Sequence, residues 1–431
     1  MSFLRGFSIA MGANILLFVL SFLNNKLIFI TLGVKENGIY FIIMRFSFFI
    51  ALFIGEWQRL TNINIVGSDK SLNPVISANN VTYIGVTGGI VMLAAFFFPS
   101  LFAGFVPQQY VMFAAAVGLC LILRDSFQSL LLVNNHMVRY SITFVLWGSL
   151  FFILDIIFLV ILDFGIRSVF AALLISTIVA ASWSLFSSIS VNGFSLRPSL
   201  RVFKLSGKMG LRAAVAVTGM FFMINVHPFA LNSLAGFTMV GIFAVCFRVF
   251  QLFQRSSDVT GTVLYSNVAQ NGEMSGYRLT MKVCRNLMFF SAVFAVIGGL
   301  LGKYLIIIIS DKTYLDAYYP LLLMLPGIVF MNTGAVLNSS YWGRGYPLKV
   351  ILAPYIAAGF GLIMDIVLIP RFETSGATMS FSLMSAVWFV YIVGIFRRDS
   401  GFQLSEILIP RYSDFTKIFS KIKDKMTRSE T

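Results

Sequence analysis

The sequence predicts an all-α polytopic membrane protein, with twelve transmembrane helices forming two parallel-repeat six-helix bundles around a central cationic cavity. Three observations predict it. Hydrophobic residues make up 58% of the 431, and charged residues only 11%, against about a quarter charged in soluble domains. The apolar residues fall in long unbroken runs. The segment "GIYFIIMR" at 38–45 returns as "GIFAVCFR" at 241–248.

A mean hydropathy of +0.87 belongs to a chain that lives largely in lipid. In lipid only helices and closed barrels satisfy their backbone groups. A barrel would show short alternating strands. The runs here have the length of about 20 residues that a helix needs to cross. They cover 7–31, 38–57, 82–103, 110–133, 141–162, 167–189, 211–234, 239–263, 287–309, 317–341, 349–369 and 375–396. No connection between them is large enough for an extramembrane domain.

The first run follows Arg5 as a signal peptide would. No small-residue cleavage site is evident, and the apolar stretch continues to Leu32, so it is read as a retained first span. Runs one to six make an N-terminal six-helix bundle, 1–193. In the connecting 194–210, "FSLRPSLRVFKLSGKMG", Arg197, Arg201, Lys204 and Lys208 share one helical face. Leu200, Phe203 and Leu205 are placed to dip into lipid, and Pro198 suits a first turn. This predicts an interfacial amphipathic linker helix. The C-terminal six-helix bundle, 211–397, opens with a run that Pro228 should kink. Residues 398–431 form a basic cytoplasmic tail, where Phe415, Ile418, Phe419, Ile422 and Met426 oppose Lys417, Lys421 and Lys425.

The repeat extends beyond its opening. Gly33 and Gly236, Gly38 and Gly241, Ile39 and Ile242, Tyr40 and Phe243, Arg45 and Arg248 all share one offset. "ILDII" at 153–157 resembles "IMDIV" at 363–367, each in the fifth span of its half. Six spans per half make the repeats parallel, related by an axis along the membrane normal. Such bundles enclose a cavity and alternate its access by rocking.

The formal charge is +15. Arg5, Arg59, Lys70, Arg139, the linker cations, Arg278, Lys282, Arg285, Arg344, Lys349 and the tail fall on one side. The other holds only Lys35, Arg167, Lys303, Lys312 and Arg371. This is the positive-inside bias. It places both termini in the cytoplasm and reads as topology and attraction to anionic membrane lipid, not as nucleic-acid binding. Cys120, Cys246 and Cys284 suggest neither a disulfide framework nor a metal site. No nucleotide, nucleophile or cofactor motif is present, so the chain is read as a non-enzyme without cofactors.

A cation at mid-span costs about 2.5–3.5 kcal/mol on insertion scales. Lys26, Arg45, Arg124 and Arg248 incur that cost and are the candidate anion-binding residues. Lys26 and Arg45 are placed one to two turns from the outer side. Arg124 and Asp125, being adjacent, should point apart. Arg255 and Asp258 are spaced to pair on one face. Asp155 and Asp365 are candidates for pairing or coupling, as is His227 beside Pro228, which could instead be a simply hydrogen-bonded histidine. Asn24 and Asn25 could hydrogen-bond a sugar or a neighbouring helix. Guanidinium groups suit phosphate because their planar fork binds its oxygens in pairs.

Four stretches carry a family resemblance: "TLGVKENGIYFIIMRF", "LNSLAGFTMVGIFAVCFRVF", "SDKTYLDAYYPLLLMLPG" and "DIVLIPRFETSGATMSFSLM". With them the chain resembles bacterial O-antigen and polysaccharide flippases of the multidrug/oligosaccharidyl-lipid/polysaccharide exporter superfamily. The resemblance implies a V-shaped pair of bundles in the bacterial inner membrane and an undecaprenyl-pyrophosphate-linked oligosaccharide as substrate. Its implied protein partners are a polysaccharide polymerase and a chain-length regulator. His227 stands where many polysaccharide members are expected to have an acid. The competing readings are a multidrug or small-solute antiporter, disfavoured by the lack of a carboxylate in the first span, and a polymerase or ligase, disfavoured by the short outer loops.

Overall fold

The computed structural model describes residues 3–409, except 103, 271 and 272. Its helices are α1 (Phe3–Thr31), α2 (Val34–Ser68), α3 (Asn73–Phe97), α4 (Val111–Val133), α5 (Met137–Asp155), α6 (Ile166–Asn192), α7 (Leu200–Ala235), α8 (Phe237–Gln270), α9 (Glu273–Leu300), α10 (Gly302–Ile309), α11 (Tyr318–Trp342), α12 (Leu348–Ser400) and α13 (Leu404–Leu408). The protein is all-α among the described residues, and eleven of these helices are long and apolar enough to cross a membrane.

The last of the eleven counts twice. α12 breaks at Glu373, whose backbone leaves the helical region (φ 49, ψ −124) three residues after Pro370. The Ser380 hydroxyl donates to the Gly361 carbonyl at 2.9 Å, so the two arms fold back on one another. The arms are about 37 and 40 Å long at 1.5 Å per residue, more than the hydrocarbon thickness of about 30 Å. Twelve crossings result. The ninth lies earlier than the sequence placed it. α9 ends at Leu300, and residues 302–309 make the separate short α10. α5 runs on as a π-helical turn over Ile156–Ile161.

Residues 200–210, expected within a separate linker helix, are the first turns of the 36-residue α7. Pro198 stands just outside it, and the Ser199 hydroxyl caps it by accepting from the Val202 amide. The tail stripe from Phe415 to Met426 lies outside the described residues.

The chain forms two compact units. One comprises Met1–Val245 with Ile306–Asp316, the other Cys246–Leu305 with Ala317–Thr431. The segment 194–210, where the sequence placed the boundary between bundles, lies inside the first unit, where α7 packs along α2. Gly210 allows the approach, since a Cβ there would sit 2.6 Å from the Trp57 carbonyl. Toward the end of α2 Ile65, Val66, Ile76, Phe127 and Leu130 form an apolar cluster that Val202 covers. Lipid tails are as apolar as leucine, so burial alone does not hold such helices together; close packing and interhelical hydrogen bonds do. Asn62 supplies both, donating to Ser129 Oγ and the Ser126 carbonyl at 3.2 Å. In the second unit Trp388 packs on Gly334, and Phe250 meets Phe381 edge-on at 5.2 Å.

Candidate functional site

The repeated glycines are a crossing point. A Cβ on Gly38 would lie 1.9 Å from the Phe237 carbonyl oxygen, and one on Gly241 would lie 2.0 Å from that of Val34. Phe237 stands to Val34 in the sequence as Gly241 stands to Gly38. The contact is thus reciprocal, which is the mark of a local two-fold relation. It lies wholly within the first unit, which includes the start of α8. Only residues without a Cβ allow two helix backbones to meet this closely.

The crossing is locked from the side. Asn37, next to Gly38, donates from Nδ2 to the Tyr314 hydroxyl at 2.6 Å and to the Leu32 carbonyl at 2.9 Å. Tyr314 is buried and meets the Phe29 ring edge-on at 5.2 Å. Phe41 faces Phe243. The end of this unit at which α2 and α8 begin is held together by backbone contact and aromatic packing.

Arg45 lies seven residues beyond Gly38, and Arg248 seven beyond Gly241. Seven residues are close to two full helical turns. Each arginine therefore lies on the face of its helix that carries the crossing glycine, about 10 Å deeper. Arg45 is half-buried, with its guanidinium over the Phe41 ring at 4.8 Å. It lies eleven residues into α2, about 16 Å from the helix start. That is deeper than the sequence suggested, because α2 begins at Val34 rather than 38. In the second unit Arg248 is half-buried and donates from Nη1 to Gln251 Oε1 at 2.9 Å. Lys26 is half-buried near the C-terminal end of α1.

Arg124 behaves differently. It is buried, its Nε donates to Asp125 Oδ1 at 2.8 Å, and its guanidinium lies over the Trp147 ring at 5.3 Å. The expectation that neighbours must point apart fails because the long arginine stem folds back along its own helix. This places Arg124 as a tie among α4, α5 and α6, where the Ser184 hydroxyl also donates to its carbonyl.

The two asparagines separate as well. Asn24 is buried and donates to Asp155 Oδ2 at 2.8 Å, joining α1 to α5. Asp155 is fully buried. Asn24 Oδ1 and Asp155 Oδ1, the other oxygens of this pair, are both buried without a hydrogen-bond partner. Asn25 donates to the Ser21 carbonyl of its own helix. His227 on α7 and Asp365 on α12 are each fully buried in their own units. Arg255 and Asp258 lie exposed on α8.

Sequence reasoning missed the Asn37–Tyr314 lock, 277 positions apart, and an arginine box in the second unit. There the Arg344 guanidinium stacks 3.5 Å above the Tyr277 ring, near Tyr341. Gly345 and Tyr346, both at positive φ (91° and 58°), shape the turn that carries it. This run of turn chemistry was the available signal.

No protein-family model matches the sequence, and no curated protein does. Solved structures do match in fold. A lipid II flippase, MurJ, in an inward closed conformation superposes with a TM-score of 0.77 over 92% of this chain and 88% of that chain, at 15% identity. An inward-facing multidrug resistance MATE family transporter of the MOP superfamily gives 0.66 over 88% and 94%, at 16% identity. A MOP superfamily transporter from Pyrococcus furiosus, described as having a binding pocket of reversed polarity, gives 0.64 over 92% and 94%, at 15% identity. The protein is a multi-pass membrane protein with the fold of these flippases and exporters.

Proposed function

We propose that the protein flips an undecaprenyl-pyrophosphate-linked oligosaccharide, an O-antigen repeat unit, from the cytoplasmic to the periplasmic leaflet of a bacterial inner membrane by alternating access. The observation that carries this reading is the repeat-matched pair of arginines. Arg45 and Arg248 each sit two turns below a crossing glycine, on the same face of equivalent helices. A deep arginine is costly, and the same cost at both equivalent positions fits a shared task. Pyrophosphate is the part of such a substrate that guanidinium groups recognise best. Lys26 extends the positive track in the first unit, and Arg124 holds the bundle. Asn25 remains a candidate sugar contact; Asn24 is engaged with Asp155.

The reading includes a coupling site. The partnerless oxygens of the Asn24–Asp155 pair suit a proton or a small cation, because a buried acceptor left without a donor costs about 1–3 kcal/mol. Asp365 and His227 are the other candidates for coupling. A polysaccharide polymerase and a chain-length regulator are the protein partners the proposal implies. The second reading is multidrug export, since the MATE likeness supports the same scaffold. A carrier of organic cations would gain from acids where this chain places Arg45 and Arg248.

The test is charge reversal in cells that depend on this protein for surface polysaccharide. Arg45→Glu and Arg248→Glu, with membrane levels checked by immunoblot, should each lower surface polymer by tenfold or more. Normal polymer with normal protein levels removes the headgroup role.

A further inference from the structure

The start of α7 presents a surface that the flipping reaction does not use. Arg201, Lys204 and Lys208 are exposed side by side on its first turns. Exposed leucines border them: Leu200 on one flank at 67%, Leu205 on the other at 47%, and Leu196, just before the helix, at 91%. The opposite face is committed to protein. Val202 covers the apolar cluster of this unit, and Phe203 packs edge-on against Trp57 at 5.4 Å and at a tilt against Tyr83 at 5.8 Å. Phe203, expected to dip into lipid, is therefore inside, whereas Leu196 is exposed.

The helix is fixed in depth as well as in rotation. Asn79 of α3 clamps the Ser199 backbone from both sides. Its Oδ1 accepts from the Ser199 amide at 2.8 Å, and its Nδ2 donates to the Ser199 carbonyl at 3.1 Å. Trp57 Nε1 donates to the Tyr83 hydroxyl, closing the box under Phe203. From Asn79 to the outer end of α3 the chain rises about 27 Å, close to the hydrocarbon thickness. Ser199 thus starts α7 at the inner hydrocarbon boundary. From there to Ser233, which meets the outer loop at the Gly104 carbonyl, α7 offers about 51 Å of helix. That is more than the hydrocarbon depth requires, so α7 has length to spare at the headgroup level.

We propose that this surface of the first unit is a binding site for anionic phospholipid of the cytoplasmic leaflet. The three cations take the headgroup phosphate, and Leu196, Leu200 and Leu205 lie against the upper acyl chains. Cations centred between apolar flanks, held at the headgroup level by protein on the opposite face, match a charged head joined to two chains better than they match a soluble acidic partner, which would gain nothing from exposed leucines.

Gly207 offers a reporter position, since a Cβ there meets open space. The test uses the purified full-length protein carrying Gly207→Cys labelled with bimane, with Cys120→Ser to remove the half-exposed thiol, in phosphatidylcholine nanodiscs. Nitroxide-labelled phosphatidylglycerol and phosphatidylcholine of equal chain length are titrated as quenchers. Phosphatidylglycerol should half-quench at a tenfold or more lower mole fraction. Near an anionic surface each cation contributes about 1 kcal/mol, roughly fivefold, so R201Q/K204Q/K208Q should bring the two lipids to parity. Arg201→Lys should keep the preference. So should R397Q/R398Q, which removes two exposed cations from the other unit. Circular dichroism verifies that each variant is folded. Equal quenching by both lipids in the parent, or an unchanged preference in the folded triple variant, overturns the proposal. So does salt-sensitive binding of a polyglutamate peptide at the reporter without any lipid preference, which would assign the surface to a protein partner.

Discussion

Asp155 has one donor, Asn24, for two carboxyl oxygens, in a position with no water contact. Asp155→Ala should strand the Asn24 amide and lower stability by about 1–3 kcal/mol, read by thermal unfolding in detergent. Asp155→Asn keeps an acceptor and should unfold near the parent temperature, but transport should lose its dependence on pH or on the driving cation. Unchanged dependence would exclude Asp155 from coupling. Outside the spans, His136 in the turn between α4 and α5 has its pKa lowered by partial burial and by the charges of Arg139 and Lys70. The folded protein thus resists protonating it, and stability should fall as pH drops through the ordinary histidine range near 6.5. His136→Gln should unfold at temperatures that differ less between pH 7.5 and 5.5. The sequence marked Asn24 and Asp155 as groups that could take partners but did not show that they take each other. Asn24 and Asp155 stand 131 positions apart, and a short-range rule misjudged even the adjacent Arg124 and Asp125, because side-chain length overrides the angle between neighbouring positions.

At the scale of elements, the glycine crossing invites the plainest test. Gly38→Ala and Gly241→Ala each put a methyl group within about 2 Å of a carbonyl oxygen on the other helix. Overpacking of this kind costs about 1–3 kcal/mol, and the helices must separate. Both variants should unfold earlier and slow transport, while Gly33→Ala, with open space around its Cβ, should be neutral. A neutral Gly38→Ala would deny the close crossing. The sequence showed the glycines as a repeated pattern but not as a contact, since a motif match carries no information on which backbones meet. Helix number was legible because each crossing needs a long apolar run. Helix ends were less so: α2, α7 and α12 outrun their apolar cores, and hydropathy is silent beyond the hydrocarbon. The linker reading found the right basic face but put Phe203 in lipid, since periodicity separates faces without saying which one meets protein.

For the whole molecule, the repeat offset that links the two glycines also links the two arginines. The glycines bring α2 and α8 together where they begin, and two turns further along each of these helices stands an arginine. That combination is what the proposed carrier of an anionic head requires. The decisive measurement is transfer by the purified protein in liposomes of an undecaprenyl-pyrophosphate-linked oligosaccharide, read by its exposure to an external glycosidase. The parent should transfer it and leave ethidium unmoved. Arg45→Glu and Arg248→Glu should each slow transfer at least tenfold, and Arg397→Glu should not. Transfer at the parent rate by both reversed variants, or movement of ethidium in place of the lipid-linked sugar, would contradict the account.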